Sequence, residues 1–298
     1  MKKSEELRKV KFVFEMKNFI IRTITGIIFV AAVVASFMRP EAMVLLFALV
    51  TGLTVWEFAG LVNARKGVSI NRFISTVAGV YFFLAMTYFT SDLYGSQAKS
   101  AVFIPYLITI VYLMVSELYL KQPDPINNWA YTMLSQMYIA LPLSLINVLA
   151  FTATPHGQVA YNWLLPLSVF VFLWINDTGA YCTGSLLGRH KLFPRVSPGK
   201  SWEGSIGGAV FVAAAAWGIG EYVDSTMLSV YEWVGLGLVI VVFGTWGDLV
   251  ESLFKRTLAI KDSGSILPGH GGMLDRFDSS LMAIPAAVVY LYTLSLLG

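Results

Sequence analysis

The sequence predicts an all-α integral membrane protein, a polytopic bundle of about nine transmembrane helices with its N-terminus in the cytoplasm. Hydrophobic residues make up 56% of the 298 residues and charged residues only 13%, whereas about a quarter of the residues in a soluble domain are charged. The apolar residues also fall in blocks of about 18–22 residues, which is the length that a helix needs to cross a bilayer. Lys and Arg are concentrated in alternate breaks between these blocks, a distribution typical of membrane proteins.

Nine apolar blocks are expected to cross the membrane as helices, because a helix satisfies its own backbone hydrogen bonds in lipid. They cover residues 19–37, 41–62, 73–91, 101–120, 130–151, 160–182, 205–221, 233–254 and 280–297. A charged head, residues 1–18, precedes the first block. No small-residue cleavage site follows that block, so we expect the head to stay uncleaved in the cytoplasm. The single Cys182 excludes a disulfide within one chain.

The basic residues orient the bundle. With the N-terminus in the cytoplasm and alternating spans, 19 of the 21 Lys and Arg residues lie on the cytoplasmic side, and only Arg39 and Lys99 lie outside. This asymmetry fits the positive-inside rule. It places the loop at 183–204 and the stretch at 252–278 on the same cytoplasmic face, and it places the C-terminus outside.

The most informative stretch is 252–278, which is polar in an otherwise apolar chain. It contains four basic residues, three aspartates, one histidine and four glycines, and Asp248 lies just upstream. Carboxylates bind divalent cations, basic side chains bind phosphate oxygens, and glycines let the backbone approach a ligand closely. The composition therefore predicts a polyphosphate site that includes a divalent cation. Zinc is not expected, because three histidines and one cysteine offer no ligand spacing.

The helix that enters this stretch carries a polar face. Asp248, Ser252 and either Lys255 or Arg256 recur at helical spacing, so they share one side of the eighth span. Lys255 and Arg256 are expected to be solvated at the cytoplasmic helix end, with little effect on stability.

The helix that leaves the stretch begins with a similar face. Asp275, Asp278 and Ser279 lie where the ninth span starts. Helices that enter and leave one loop are expected to be neighbours, so these aspartates and Asp248 can converge on Mg²⁺. Salt bridges between aspartates and basic residues at the helix ends are the alternative interpretation.

Two upstream features point to the same face. Asp177 lies in the sixth span, where a charged residue usually faces a functional cavity, and Tyr181 and Gly184 share its side. The alternative is an aspartate solvated at the helix end. Span seven opens with Gly204 and Gly208, a small-residue pattern typical of helix packing.

The basic loop before span seven contains Gly199-Lys200-Ser201, which is also the end of a phosphate-binding P-loop. That motif needs a glycine at position 194, where the chain has proline, and a preceding strand, which we do not expect here. We therefore reject a P-loop. Phosphate binding and ordinary positive-inside charge both remain open for this loop.

Residues 252–278 resemble the signature of the phosphatidate cytidylyltransferases, also called CDP-diacylglycerol synthases. That pattern begins with Ser, one residue, an apolar residue, Lys-Arg, four residues and Lys-Asp. It continues, with unspecified residues between, through a small residue to Pro or Gly, then His-Gly-Gly, and finally Asp-Arg-apolar-Asp, and this chain meets every specified position. The resemblance extends upstream through Asn176-Asp177 to the segment 197–204. There the family often has Lys and Thr where this chain has Gly199 and Ser201. The first 150 residues show only composition and topology.

The resemblance implies a reaction in which a phosphate oxygen of phosphatidic acid attacks the α-phosphorus of CTP, releasing pyrophosphate and leaving CDP-diacylglycerol in the bilayer. It implies catalytic roles for Asp248, Asp275, Lys255, Arg256 and Ser252. It implies substrate binding by Lys200, Ser201, Arg189, Lys261, Asp262, His270, Gly271, Gly272 and Arg276. Asp248 and Asp275 are the first metal ligands expected, with Asp177 and Asp278 as further candidates.

The partners that follow are CTP and phosphatidic acid with other membrane lipids, Mg²⁺ with room for a second cation, and a second copy of the chain in a homodimer. No nucleic acid is expected. The location implied is the inner cell membrane. We divide the chain into the head at 1–18, an N-terminal transmembrane bundle at 19–170 and a catalytic transmembrane region at 171–298.

Two other functions stay open at this point. A CTP-dependent kinase of a membrane alcohol would have a similar plan, but it would transfer the γ-phosphoryl group and release CDP. A secondary transporter of an anionic solute would place its charged residues near the bilayer midplane on broken helices. Most of the charges here lie in loops and at helix ends, which counts against a transporter.

Overall fold

The computed structural model describes residues 22–91, 99–153, 158–224, 226–266, 269 and 271–297. In this part of the chain most residues are helical. The helices are α1 (Arg22–Phe37), α2 (Pro40–Asn63), α3 (Arg72–Ser91), α4 (Ile104–Leu120), α5 (Pro125–Leu134), α6 (Leu141–Ser144), α7 (Ile146–Ala150), α8 (Leu164–Leu187), α9 (Trp202–Tyr222), α10 (Val230–Thr257) and α11 (Leu274–Leu297). A 3₁₀ turn at Lys99–Phe103 leads into α4, and a π-helical segment at Ser135–Ala140 joins α5 to α6. Two antiparallel hairpins pair β1 (Phe151–Ala153) with β2 (Val159–Tyr161), and β3 (Lys191–Phe193) with β4 (Ser197–Ser201).

Eight helical segments in the described residues are long and apolar enough to cross a membrane. One of them, Pro125–Ala150, is a composite of α5, the π-helical segment, α6 and α7. The shorter apolar helix α1 coincides with the remaining predicted block from residue 22 onward. The prediction of an all-α polytopic membrane protein is therefore confirmed. The head at 1–18 lies outside the described residues, and the sidedness and the division at residue 170 remain predictions.

Two predicted boundaries and one predicted absence near the site differ from the structure. The sixth span ends at Leu187 rather than at residue 182, so Asp177 lies ten residues before the end of α8, within the helix. The ninth helix begins at Leu274 rather than at residue 280, so Asp275 and Asp278 belong to its first turns. The expectation that no strand accompanies Gly199-Lys200-Ser201 is wrong, because β4 contains these residues. The P-loop is still excluded by the proline at 194.

Side-chain caps fix where several helices begin. Ser201 ends β4 and starts α9, and its hydroxyl oxygen accepts a hydrogen bond from the Gly204 N–H at 3.1 Å. Ser229 and Glu232 form a reciprocal capping box at the start of α10. Such caps satisfy backbone N–H groups that have no partner within the helix. The cap at Ser201 thus holds Lys200 at the junction between a strand and a helix.

Close packing brings α8 and α9 together. Gly204 and Gly208 are both buried, and a Cβ at Gly204 would lie 2.9 Å from the carbonyl oxygen of Ala180 in α8. The predicted small-residue packing face is therefore confirmed. The core also contains an aromatic cluster in which Phe277 of α11 contacts Phe47 of α2 and Phe170 of α8, each with ring centroids 6.0 Å apart. Because Phe277 is next to Asp278 in the chain, this cluster fixes the helix turn that carries that aspartate.

Candidate active site

Three carboxylates converge where α10 meets α11. Asp248 and Glu251 of α10 and Asp278 of α11 each offer an oxygen, and these three oxygens lie within 4.8 Å of one another. The helices can approach here because position 247 is glycine: a Cβ there would lie 2.7 Å from the carbonyl oxygen of Asp278. The predicted convergence of Asp248 with an aspartate of the ninth span is therefore present, with Asp278 as the partner.

Glu251 is the functional candidate that the sequence interpretation missed. Its side chain is fully buried, and neither of its oxygens accepts a well-formed hydrogen bond within the described part of the chain. Among the described residues the cation that pairs with it is Lys255, whose Nζ lies 2.5 Å from Oε2. A signal was available, because Glu251 is an acidic residue inside a span and lies one helical turn after Asp248. Three carboxylates with free oxygen lone pairs are a donor set that fits Mg²⁺.

Lys255 links the acidic cluster to the start of α11. Its Nζ lies 2.5 Å from Glu251 and donates to Asp275 Oδ1 at 2.8 Å, and its side chain is only 14% exposed. The expectation that Lys255 is solvated at a helix end is therefore wrong, because α10 continues to Thr257 and α11 packs against it. Arg256, the next residue, is exposed as expected.

Asp275 organises the loop that precedes it. Its Oδ2 accepts hydrogen bonds from the backbone N–H of Ser263 at 2.8 Å and of Gly272 at 2.7 Å, while Oδ1 accepts from Lys255. Among the described residues it is not a member of the three-carboxylate cluster. Its role as a metal ligand stays a prediction, while the contacts present are structural ones.

Lys200 connects the upstream loop to this site. It forms an ion pair with Asp248, and both side chains are about three-tenths exposed. Asp248 also accepts a hydrogen bond from Ser252 Oγ at 3.2 Å. The segment 197–204 and the signature stretch, which are about 50 residues apart in sequence, therefore meet at one aspartate.

Two cavities open beside the cluster. The larger, of about 480 Å³, is lined by Lys200, Ser201, Thr245 and one face of α8 that includes Asp177. Tyr181 and Gly184 line it too, so the predicted shared face is confirmed. The smaller, of about 220 Å³, lies between α1, α8 and α11 and mixes apolar side chains with charged ones. Its polar lining includes Asp177, Asp275, Arg276 and Asp278.

Comparison with known proteins shows the family of this chain. The sequence model of the Cytidylyltransferase family matches residues 20–294. This chain belongs to that family. Proteins named phosphatidate cytidylyltransferase resemble it along most of their length. The one from Staphylococcus aureus strain COL is 32% identical over 265 residues, which cover 89% of this chain and 96% of the relative. The one from Haemophilus influenzae is 32% identical over 279 residues, which cover 89% of this chain and 95% of the relative. The chain is therefore a nucleotidyltransferase of the multi-pass membrane type.

Several of the remaining predicted residues of this cytidylyltransferase do not line the two cavities. Arg189, Lys261 and Asp262 are exposed and line neither cavity. Gly271 adopts a positive φ of 82°, which favours glycine, in the turn before α11. His270 lies outside the described residues. The structure thus brings together Lys200, Asp177, Asp248, Lys255 and the start of α11, whereas Arg189 and Lys261 line neither cavity.

Proposed function

We propose that this chain transfers the cytidylyl group of CTP to phosphatidate, forming CDP-diacylglycerol and pyrophosphate. Membership of the cytidylyltransferase family carries the proposal, together with relatives named for this reaction. The carboxylate cluster beside Lys200 supports it, because nucleotidyl transfer depends on holding and neutralising a triphosphate. A membrane-embedded chain also suits a substrate that stays in the bilayer.

The proposed reaction is one displacement at phosphorus. A phosphate oxygen of phosphatidate forms a bond to the α-phosphorus of CTP, the bond from that phosphorus to the bridging oxygen breaks, and pyrophosphate leaves with the electron pair. The attacking oxygen is already anionic, so no protein base is required. The work of the protein is to orient the two substrates and to offset their charge.

Asp248, Glu251 and Asp278 are the residues that we propose hold a divalent cation, Mg²⁺ in the first instance. Such a cation would neutralise the triphosphate and the departing pyrophosphate. The buried Glu251 supports this assignment, because Lys255 contacts only its Oε2 and its Oε1 has no hydrogen-bond partner among the described residues, and a buried carboxylate is costly unless cations or hydrogen bonds compensate it. Asp177 and Asp275 remain alternative ligands.

The two cavities suggest where the substrates bind. At about 480 Å³ the larger cavity falls within the range of roughly 300–1,000 Å³ typical of small-molecule sites, and Lys200 and Ser201 can bind phosphate there. The smaller cavity combines Arg276 with Phe29 and Trp174, which suits the headgroup and the first carbons of a lipid. We therefore propose CTP in the larger cavity and phosphatidate in the smaller. A cytoplasmic active face, an inner-membrane location and a homodimer belong to the same proposal.

The distribution of label from CTP tests the reaction. Purified protein is incubated with phosphatidate, Mg²⁺ and CTP that carries ³²P at either the α or the γ position. We expect α-label in the lipid and γ-label in pyrophosphate, with Asp248→Asn giving neither product. Transfer of γ-label to a lipid with release of CDP would contradict the proposal and establish the kinase alternative.

A further inference from the structure

A second buried carboxylate lies beside the site, on a helix far away in the sequence. Glu57 of α2 is 6% exposed. Its Oε2 accepts a hydrogen bond from the Met273 N–H at 2.8 Å, and its Oε1 accepts from the Leu274 N–H at 3.4 Å. The hydroxyl of Ser263 also donates to Oε1. All three donors belong to the signature stretch, which is more than 200 residues further along the chain.

Glu57 caps the helix that carries Asp275 and Asp278. The first N–H groups of a helix have no partner within it and carry partial positive charge. Leu274 is the first residue of α11, and the N–H groups of Met273 and Leu274 both point at Glu57. A carboxylate there satisfies these donors, and the helix end in turn stabilises the buried negative charge. The cap is supplied by another helix.

The loop is shaped to fit this carboxylate. Position 272 is glycine, and a Cβ added there would overlap Glu57 Oε1 and Ser263 Oγ. A Cβ at Gly264 would lie 2.8 Å from Cδ and Oε2 of Glu57. Side chains at either position would therefore displace the loop from Glu57.

The same loop residues also bind Asp275. Its Oδ2 accepts hydrogen bonds from the N–H groups of Ser263 and Gly272. The hydroxyl of Ser263 also donates to Glu57, and Gly272 directly precedes Met273, whose N–H donates to Glu57. The loop is thus held between two carboxylates, Glu57 on one side and Asp275 on the other. The second oxygen of Asp275 fixes Lys255, which in turn contacts Glu251. A chain of direct contacts therefore runs from α2 to the carboxylate cluster.

We propose that Glu57 is a positioning residue for cytidylyl transfer, which fixes the signature loop and the start of α11 so that Asp275, Lys255 and the carboxylate cluster hold their arrangement. The expected effect of Glu57 on turnover rests on the proposed function, whereas its hydrogen bonds to the loop do not. Glu57 touches neither cavity and acts through Asp275. It gives the N-terminal half of the chain a role in the chemistry.

Glu57→Gln tests this proposal with little change of shape. The amide replaces one acceptor oxygen with a donor, which cannot bind the N–H of Met273 or Leu274. We expect turnover to fall and the Mg²⁺ concentration for half-maximal activity to rise, each by about 10- to 100-fold, as for other residues that orient ligands. Hydrogen exchange of the peptide containing residues 271–274 should become at least about tenfold faster. Glu57→Asp keeps the charge, so its turnover, Mg²⁺ dependence and hydrogen exchange should lie between those of Glu57→Gln and those of the wild type.

Glu117→Gln is the matched control, because Glu117 is also a buried carboxylate in a span and accepts a hydrogen bond from Asn128 at 3.0 Å away from the site. It should leave the Mg²⁺ dependence and the exchange of residues 271–274 unchanged. If the role of Glu57 were merely structural, Glu57→Gln and Glu117→Gln would both lower the amount of folded enzyme. The Mg²⁺ dependence of the folded Glu57→Gln enzyme would then be unchanged. That result would overturn the proposal.

A second variant covers the case in which Glu57→Gln fails to fold. Gly264→Ala keeps Glu57 but places a methyl group 2.8 Å from its Cδ and Oε2, so the loop must shift away from Glu57. We expect faster hydrogen exchange of residues 271–274, lower turnover and a higher Mg²⁺ concentration for half-maximal activity. Unchanged exchange and unchanged Mg²⁺ dependence in folded Gly264→Ala would contradict the proposal. If the wild type shows no cytidylyl transfer, the proposed function fails, while the exchange measurements still decide whether Glu57 fixes the loop.

Discussion

Replacing Lys255 with methionine should destabilise the protein much more than the same change at its neighbour Arg256. The Lys255 side chain is 14% exposed and lies between Glu251 and Asp275, whose side chains are 0% and 6% exposed. Removing one partner of a buried ion pair costs about 3–5 kcal/mol, because the other charge is left uncompensated. Arg256 is exposed, and changes at such positions usually stay within about 0.5 kcal/mol. Methionine keeps most of the side-chain volume in both variants.

The free energy of unfolding can be compared for Lys255→Met and Arg256→Met by denaturant titration in detergent micelles. We expect a difference of about 3 kcal/mol between the two variants. Adding Glu251→Gln to Lys255→Met should recover part of the loss, because it removes one of the two stranded charges. Equal stability of the two single variants would refute the assignment of Lys255 as the cation that holds the helices together.

Two further predictions concern the CTP cavity and the orientation of the chain. Lys200→Met should raise the KM for CTP by about tenfold or more with little effect on the KM for phosphatidate, since loss of a charge-assisted phosphate contact removes roughly 1.5–3 kcal/mol. A comparable rise in the KM for phosphatidate, with an unchanged KM for CTP, would indicate that Lys200 contacts phosphatidate and not CTP. In a Cys182→Ser background, a cysteine at position 195 should react with an impermeant maleimide only from the cytoplasmic side. Labelling of position 195 only from the outside would contradict the predicted orientation of the chain in the membrane.

Membrane spans and the signature could be predicted because both are local properties of the sequence. Block length and hydrophobicity identify a span whatever it packs against. The convergence of Asp248 with the ninth span followed from helical spacing and from the short loop between the two helices. The shared face of Asp177, Tyr181 and Gly184 followed from the same spacing, and all three line the larger cavity.

The choice of partner for each charge could not be predicted in the same way. Asp275 and Asp278 are three residues apart on α11, yet one binds Lys255 and the loop while the other joins Asp248 and Glu251. That outcome depends on the rotation of α11, which the aromatic contacts of Phe277 fix. Glu57 illustrates the same limit, because a partner more than 200 residues away leaves no spacing pattern. Its position as an acid inside an apolar span was the one available signal.

Cation binding by the purified protein tests the account of the site most directly. Mn²⁺ can replace Mg²⁺, and its electron paramagnetic resonance signal in the presence of CTP gives the Kd without turnover. We expect Asp248→Asn and Glu251→Gln each to raise that Kd by at least about tenfold, because each removes a charged ligand. Glu41→Gln, which changes an exposed acid at the far end of α2, should have no effect. An unchanged Kd in both cluster variants would contradict the assignment of these carboxylates as the cation site.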